Sequence, residues 1–180
     1  MLTEAKALIR LALPVFIAQL SIISMSFVDT AMTGHYGLND LAGIAIGSSF
    51  WLPAFLFVEG ILLAVTPLVA QASGRQSRID ASRALMQGLW LGLVVGIAVA
   101  LLLLACLPVL ESMGVDPQVR NITRAYLLWL CQALPVAGIY QAMRSFVEGN
   151  GRTGPVMMIN VIGFLSHIPL NYVLVFGKFG

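Results

Sequence analysis

Charge is scarce in this 180-residue chain. Asp, Glu, Lys and Arg make up 10% of it, hydrophobic residues 59%, and the mean hydropathy is +0.92. Soluble domains carry about 25% charged residues, so a surface that faces water all round is excluded. Cysteine is nearly absent: Cys106 and Cys131 both lie inside apolar runs. There each reads as a small buried hydrophobe, and no redox compartment follows. The histidines are His35, in a connecting segment, and His167, in an apolar run, so a two-histidine metal site has no support. His-Glu-x-x-His, Gly-x-x-x-x-Gly-Lys-Ser/Thr, Gly-x-Ser-x-Gly and Cys-x-x-Cys are all missing. With no catalytic constellation in view, the chain is not expected to be an enzyme. The ten basic residues are scattered and the net charge is only +2, so no nucleic-acid partner is expected.

What is present is apolar length. About 20 helical residues cross ~30 Å of hydrocarbon. Residues 84–110, 125–143 and 153–177 carry no Asp, Glu, Lys or Arg. Leu11–Val28 runs uninterrupted to Asp29, and Leu41–Gly74 is broken only by Glu59. The reading is an all-α integral membrane chain with about five spans, near 11–33, 41–71, 84–110, 122–147 and 155–176. The bilayer is therefore its first partner. Lys6 and Arg10 before the first run resemble a signal peptide, but the run is too long and no convincing cleavage site follows. Short connections separate the spans: His35–Asp40, Ser73–Arg83, Glu111–Asn121 with Asp116–Pro117 as a turn or helix start, and the glycine-rich Glu148–Gly154.

Basic residues set the orientation. Lys6, Arg10, Arg75, Arg78, Arg83, Arg144 and Arg152 fall on one side, and Arg120, Arg124 and Lys178 on the other. Seven against three places the N-terminus in the cytoplasm. No internal repeat or soluble domain is visible, and five spans with no tail read as an incomplete bundle.

A charge at mid-bilayer costs at least ~2.5 kcal/mol on insertion scales, so acids within spans usually face a cavity and have a function. Asp29 sits late in the first span beside a stripe formed by Gln19, Ser26 and Thr33, seven residues apart. A hydrated, cation-accessible pocket is the functional reading; an interfacial acid touching water is the plain one. Glu59, near the middle of the second span, is a candidate second acidic site, an ion-pair partner for Arg144, or the lining of a crevice. In the fifth span Asn160, Gly163, His167 and Asn171 share one face, and Pro169 deprives the Leu165 carbonyl of its helical donor. Such a face fits cation or proton coordination, or ordinary hydrogen bonding between membrane helices. Pro14, Pro53, Pro67, Pro108 and Pro135 are further sites where a span can bend.

Several stretches together resemble the multidrug and toxic compound extrusion (MATE) family, in its bacterial branch of norfloxacin-extruding proteins. They are Phe27-Val-Asp-Thr-Ala-Met-Thr-Gly34, Asp40-Leu-Ala-Gly-Ile-Ala-Ile-Gly-Ser-Ser49, Leu62-Leu-Ala-Val-Thr-Pro-Leu-Val-Ala-Gln71, Arg144-Ser-Phe-Val-Glu-Gly-Asn-Gly-Arg-Thr-Gly-Pro155 and Ile168-Pro-Leu-Asn-Tyr172. The resemblance implies twelve helices in two six-helix lobes, of which residues 1–180 would form the front of the N-terminal lobe, without the second lobe. It implies export of cationic amphipathic compounds in exchange for protons or sodium ions, with no cofactor, from a multi-pass position in the bacterial inner membrane. By the same resemblance Asp29 matches the first-helix acid of cation or proton coupling, and Pro14 the proline at which some members bend. Asn171 matches the second asparagine of a fifth-helix Asn-Ile-Pro-x-Asn pattern, with Pro169 inside it. His167 replaces the first asparagine, a departure that favours protons over sodium, since imidazolium repels sodium. Drug pockets in such proteins are apolar and aromatic, which makes Trp51 and Tyr140 candidate drug contacts. Two other readings are a lipid-linked oligosaccharide flippase, which would need a cationic cavity, and a truncated membrane protein that transports nothing.

Overall fold

The computed structural model describes residues 2–112 and 114–175. Phe176 and Lys178, counted above in the fifth span and in the charge distribution, lie outside the described residues. Among the described residues the helices are, in order, α1 (Leu2–Tyr36), α2 (Leu38–Leu62), α3 (Val65–Gly74), α4 (Arg78–Cys106), α5 (Val109–Ser112), α6 (Pro117–Gly149) and α7 (Thr153–Val175). No strand occurs among the described residues. Among the described residues five segments are long and apolar enough to cross a membrane: Ala12–His35, Leu38–Gly74, Arg78–Cys106, Pro117–Gly149 and Thr153–Leu174.

Local chemistry sets the ends. Gly37 alone separates α1 from α2, a tighter connection than the six-residue segment expected, because its N–H still reaches the Thr33 carbonyl at 3.1 Å. His35 therefore belongs to the last turn of α1, where its Nδ1 meets the Ala31 carbonyl at 2.8 Å. Ser77 caps α4, its Oγ accepting from the Asp80 N–H at 3.3 Å. Asp116 caps α6 by accepting from the Gln118 N–H at 2.8 Å, and Pro117 fills the first helical position, where its missing N–H does no harm.

The second span is two helices. Pro67 has no N–H and its ring crowds the carbonyl four residues earlier, so the Leu63 carbonyl takes the Thr66 N–H at 3.1 Å instead. That tightened turn at Leu63–Ala64 divides α2 from α3. Pro108 acts likewise: α4 stops at Cys106, and the Leu104 carbonyl accepts from the Leu107 N–H at 3.2 Å. By contrast α1, α2, α6 and α7 stay helical through Pro14, Pro53, Pro135 and Pro169.

The chain forms two compact units, residues 1–38 with 151–180 and residues 39–150. In the first, α7 packs along α1 in the same direction, since Met25 lies by Gly163 and Asp29 by His167 and Asn171. In the second, α4 and α6 run antiparallel, with Gly88, Gly92 and Gly96 opposite Ala142, Gly138 and Leu134. A Cβ on Gly92 would stand 2.5 Å from the Gly138 carbonyl oxygen, so these two backbones touch with nothing between them. Gly43 and Gly47 of α2 meet Ile122 and Tyr126 of α6, and the Thr123 hydroxyl donates to the Gly43 carbonyl at 3.0 Å. Val58, Leu62, Val69, Leu127 and Leu134 fill the core of this unit. Large apolar side chains face outward instead, Trp129 being 74% exposed, as suits a hydrocarbon surrounding.

Candidate functional site

The helical period of α7 brings His167 and Asn171 to one face, and α1 presents Asp29 to it. His167 Nε2 lies 2.7 Å from Asp29 Oδ1, and Asn171 Nδ2 donates to the same oxygen at 2.5 Å. The three coupling residues expected from the sequence thus form one cluster. An ionised carboxylate only accepts, whereas an imidazole nitrogen donates or accepts according to its tautomer. With a neutral imidazole, Nε2–H donates to the carboxylate. Adding one proton gives either an imidazolium on the carboxylate or a carboxylic acid donating to Nε2, with the same heavy-atom contact.

Access fits that use. The Asp29 side chain is 45% exposed and that of His167 31%. Asn160, on the same face of α7, is buried, and its Nδ2 donates to the Val156 carbonyl of its own helix at 2.9 Å. The α1 stripe is less uniform than its seven-residue spacing implies: Thr33 is buried, whereas Gln19 and Ser26 are exposed. A straight helix drifts ~20° per heptad, so such residues do not keep one neighbour.

Glu59 belongs to a separate group. Arg144 Nη1 stands 3.6 Å from Glu59 Oε1, and Arg144 Nε donates to Glu148 Oε1 at 2.8 Å. Arg144 is only 9% exposed, so the two acids neutralise a nearly buried cation and leave the triad at −1. Of the three sequence readings of Glu59, pairing with Arg144 is the one whose geometry is present. Trp51 packs against the core and stacks on Phe55, ring centroids 5.8 Å apart, while Tyr140 is exposed. Sequence reasoning missed the glycine seam, although Gly88, Gly92 and Gly96 repeat every four residues. It also left Arg120 and Arg124 as mere charge markers. Among the described residues no group of His, Cys, Asp and Glu could hold a metal ion.

The MatE family model matches residues 14–173. The chain belongs to the MatE family. Across 98% of its length it is 40% identical to the "Probable multidrug resistance protein NorM" of Shewanella oneidensis. It is equally similar, over 99% of its length, to the "Multidrug resistance protein MdtK" of Yersinia pestis. It spans 39% of the length of each of these MatE relatives. Two solved transporters share its fold at 18% identity. One is a MOP superfamily transporter from Pyrococcus furiosus, with a TM-score of 0.81 over 96% of this chain and 38% of that one. The other is an outward-facing multidrug resistance MATE family transporter, with a TM-score of 0.82 over 96% of this chain and 39% of that one.

Proposed function

We propose that this MatE chain is part of a secondary active transporter, not an enzyme, that exports cationic amphipathic compounds in exchange for protons. It would sit in the bacterial inner membrane with its N-terminus in the cytoplasm. The observation that carries the reading is the convergence of His167 Nε2 and Asn171 Nδ2 on Asp29 Oδ1. In the deprotonated state the cluster's single negative charge attracts a cation. Loading one proton cancels that charge and weakens the hold on the drug. The two protonation states bind drug unequally, and this difference is what can drive a conformational equilibrium. Protons rather than sodium fit an imidazole on the coupling carboxylate, because imidazolium repels a metal cation.

The test is Asp29→Asn in the full-length protein. Dye efflux from energised vesicles is expected to fall at least tenfold, with membrane expression unchanged; efflux at the normal rate would remove Asp29 from coupling. For the ion, efflux is expected to follow an imposed pH gradient without sodium. A response to sodium at fixed pH, with none to the pH gradient, would overturn proton exchange.

A further inference from the structure

The arginines at the start of α6 play no part in the coupling cluster. A cavity of about 470 Å³ opens where α4 gives way, at Pro108, to α5 and the start of α6. One wall is apolar, formed by Leu104, Leu107 and Leu110; the other carries Arg120, Asn121 and Arg124. The break of α4 at Pro108 lies in the cavity's lining, between Leu107 and Leu110. Arg120 and Arg124 are four residues apart and so share one face of α6. Arg120 lies in the first turn, where the helix dipole adds positive potential that the Asp116 cap partly offsets, and Arg124 lies a turn further on. Among the described residues neither guanidinium takes part in an ion pair.

Depth in the bilayer identifies the anion. The charge-free run of α6 begins at Ala125, directly after both arginines, so they mark the end of this span that is nearer the lipid phosphates. Paired guanidiniums match the oxygens of a phosphate. A soluble phosphate would satisfy them but leave the leucine wall against water, whereas a lipid would cover it. We propose that this cavity binds an anionic phospholipid, with Arg120 and Arg124 on the phosphodiester, Asn121 on a neighbouring headgroup or ester oxygen, and the leucines against the first methylenes.

Native mass spectrometry of the full-length protein, titrated with phosphatidylglycerol or phosphatidylcholine, tests this. Retention of phosphatidylglycerol is expected to exceed that of phosphatidylcholine by about tenfold, taking ~fivefold per basic residue near the membrane surface and some loss to detergent. Arg120→Gln with Arg124→Gln is expected to abolish the preference. Arg78→Gln with Arg83→Gln, the same change in charge elsewhere, is expected to preserve it. Equal retention of the two lipids, or equal loss in both double variants, would overturn the proposal. So would displacement of the lipid by millimolar inorganic phosphate, which would mark a soluble-anion site. If the glutamine pair does not fold, Arg120→Lys with Arg124→Lys replaces it. That pair keeps the charge but not the fork, so a weakened preference supports the phosphate contact and an unchanged one overturns it.

Discussion

At the scale of single residues, the proposed proton exchange turns on His167. An asparagine there still donates to Asp29 but cannot carry the charge. His167→Asn is therefore expected to flatten the pH dependence of efflux while leaving residual transport, and a profile matching the unmodified protein would place the titration elsewhere. The ion triad gives a second contrast. Arg144→Gln leaves Glu59 and Glu148 without their cation, and breaking a buried pair costs ~3–5 kcal/mol. Glu59→Gln keeps the 2.8 Å Arg144–Glu148 contact and should cost less. Thermal unfolding in detergent checks the order; equal melting temperatures would mean that the triad is not a stabilising group. Periodicity in the sequence revealed the polar face of α7 and the acid of α1. It did not reveal that they meet, because the period fixes a face within one helix and is silent on the neighbour 138 residues away.

Between elements, stability in residues 39–150 rests on close backbone approach. Gly92→Val would drive a branched side chain into the Gly138 carbonyl, where even a Cβ is too close at 2.5 Å. Overpacking typically costs ~1–3 kcal/mol, and the expected result is a lower melting temperature in detergent. Gly60→Ala, at a position with open space, serves as the control and is expected to shift little. Were Gly92→Val equally harmless, the seam would not be tight. The presence of five membrane-length apolar helices was legible because hydrophobic length is a strong signal. The divide at Leu63–Ala64 was not, since Pro67 acts four residues upstream through a carbonyl and leaves the apolar run unbroken. The seam escaped notice because glycine adds little to a hydropathy count, however much it decides packing.

For the molecule as a whole, the five spans and the basic-residue bias lead to a definite topology. A secreted phosphatase reporter fused after Gly37 or Asp116 is expected to be active outside the membrane, and one fused after Gln76 or Gly151 inactive. The reverse pattern would invert the chain and move the Arg120–Arg124 cavity to the cytoplasmic leaflet. Parallel packing of α1 with α7, and of α2 with α6, agrees with alternating spans whichever way the chain is inserted. Fold class was legible from composition alone, because 10% charge leaves few ways to fold in water. The transport reading needed the motif resemblance, since neither charge nor periodicity specifies what is carried.

The glycines of α4 have one more consequence. Gly88, Gly92 and Gly96 make a rail of equal steps, faced on α6 by Leu134, Gly138 and Ala142 at the same four-residue interval. Turning either helix about its axis would press a bulky side chain into bare backbone. Sliding by one step, ~6 Å at 1.5 Å per residue, would set Gly96 against Gly138 and Gly92 against Ala142 but would bring Phe146 onto Gly88. The seam therefore resists turning and sliding alike, and α4 and α6 would move as one piece.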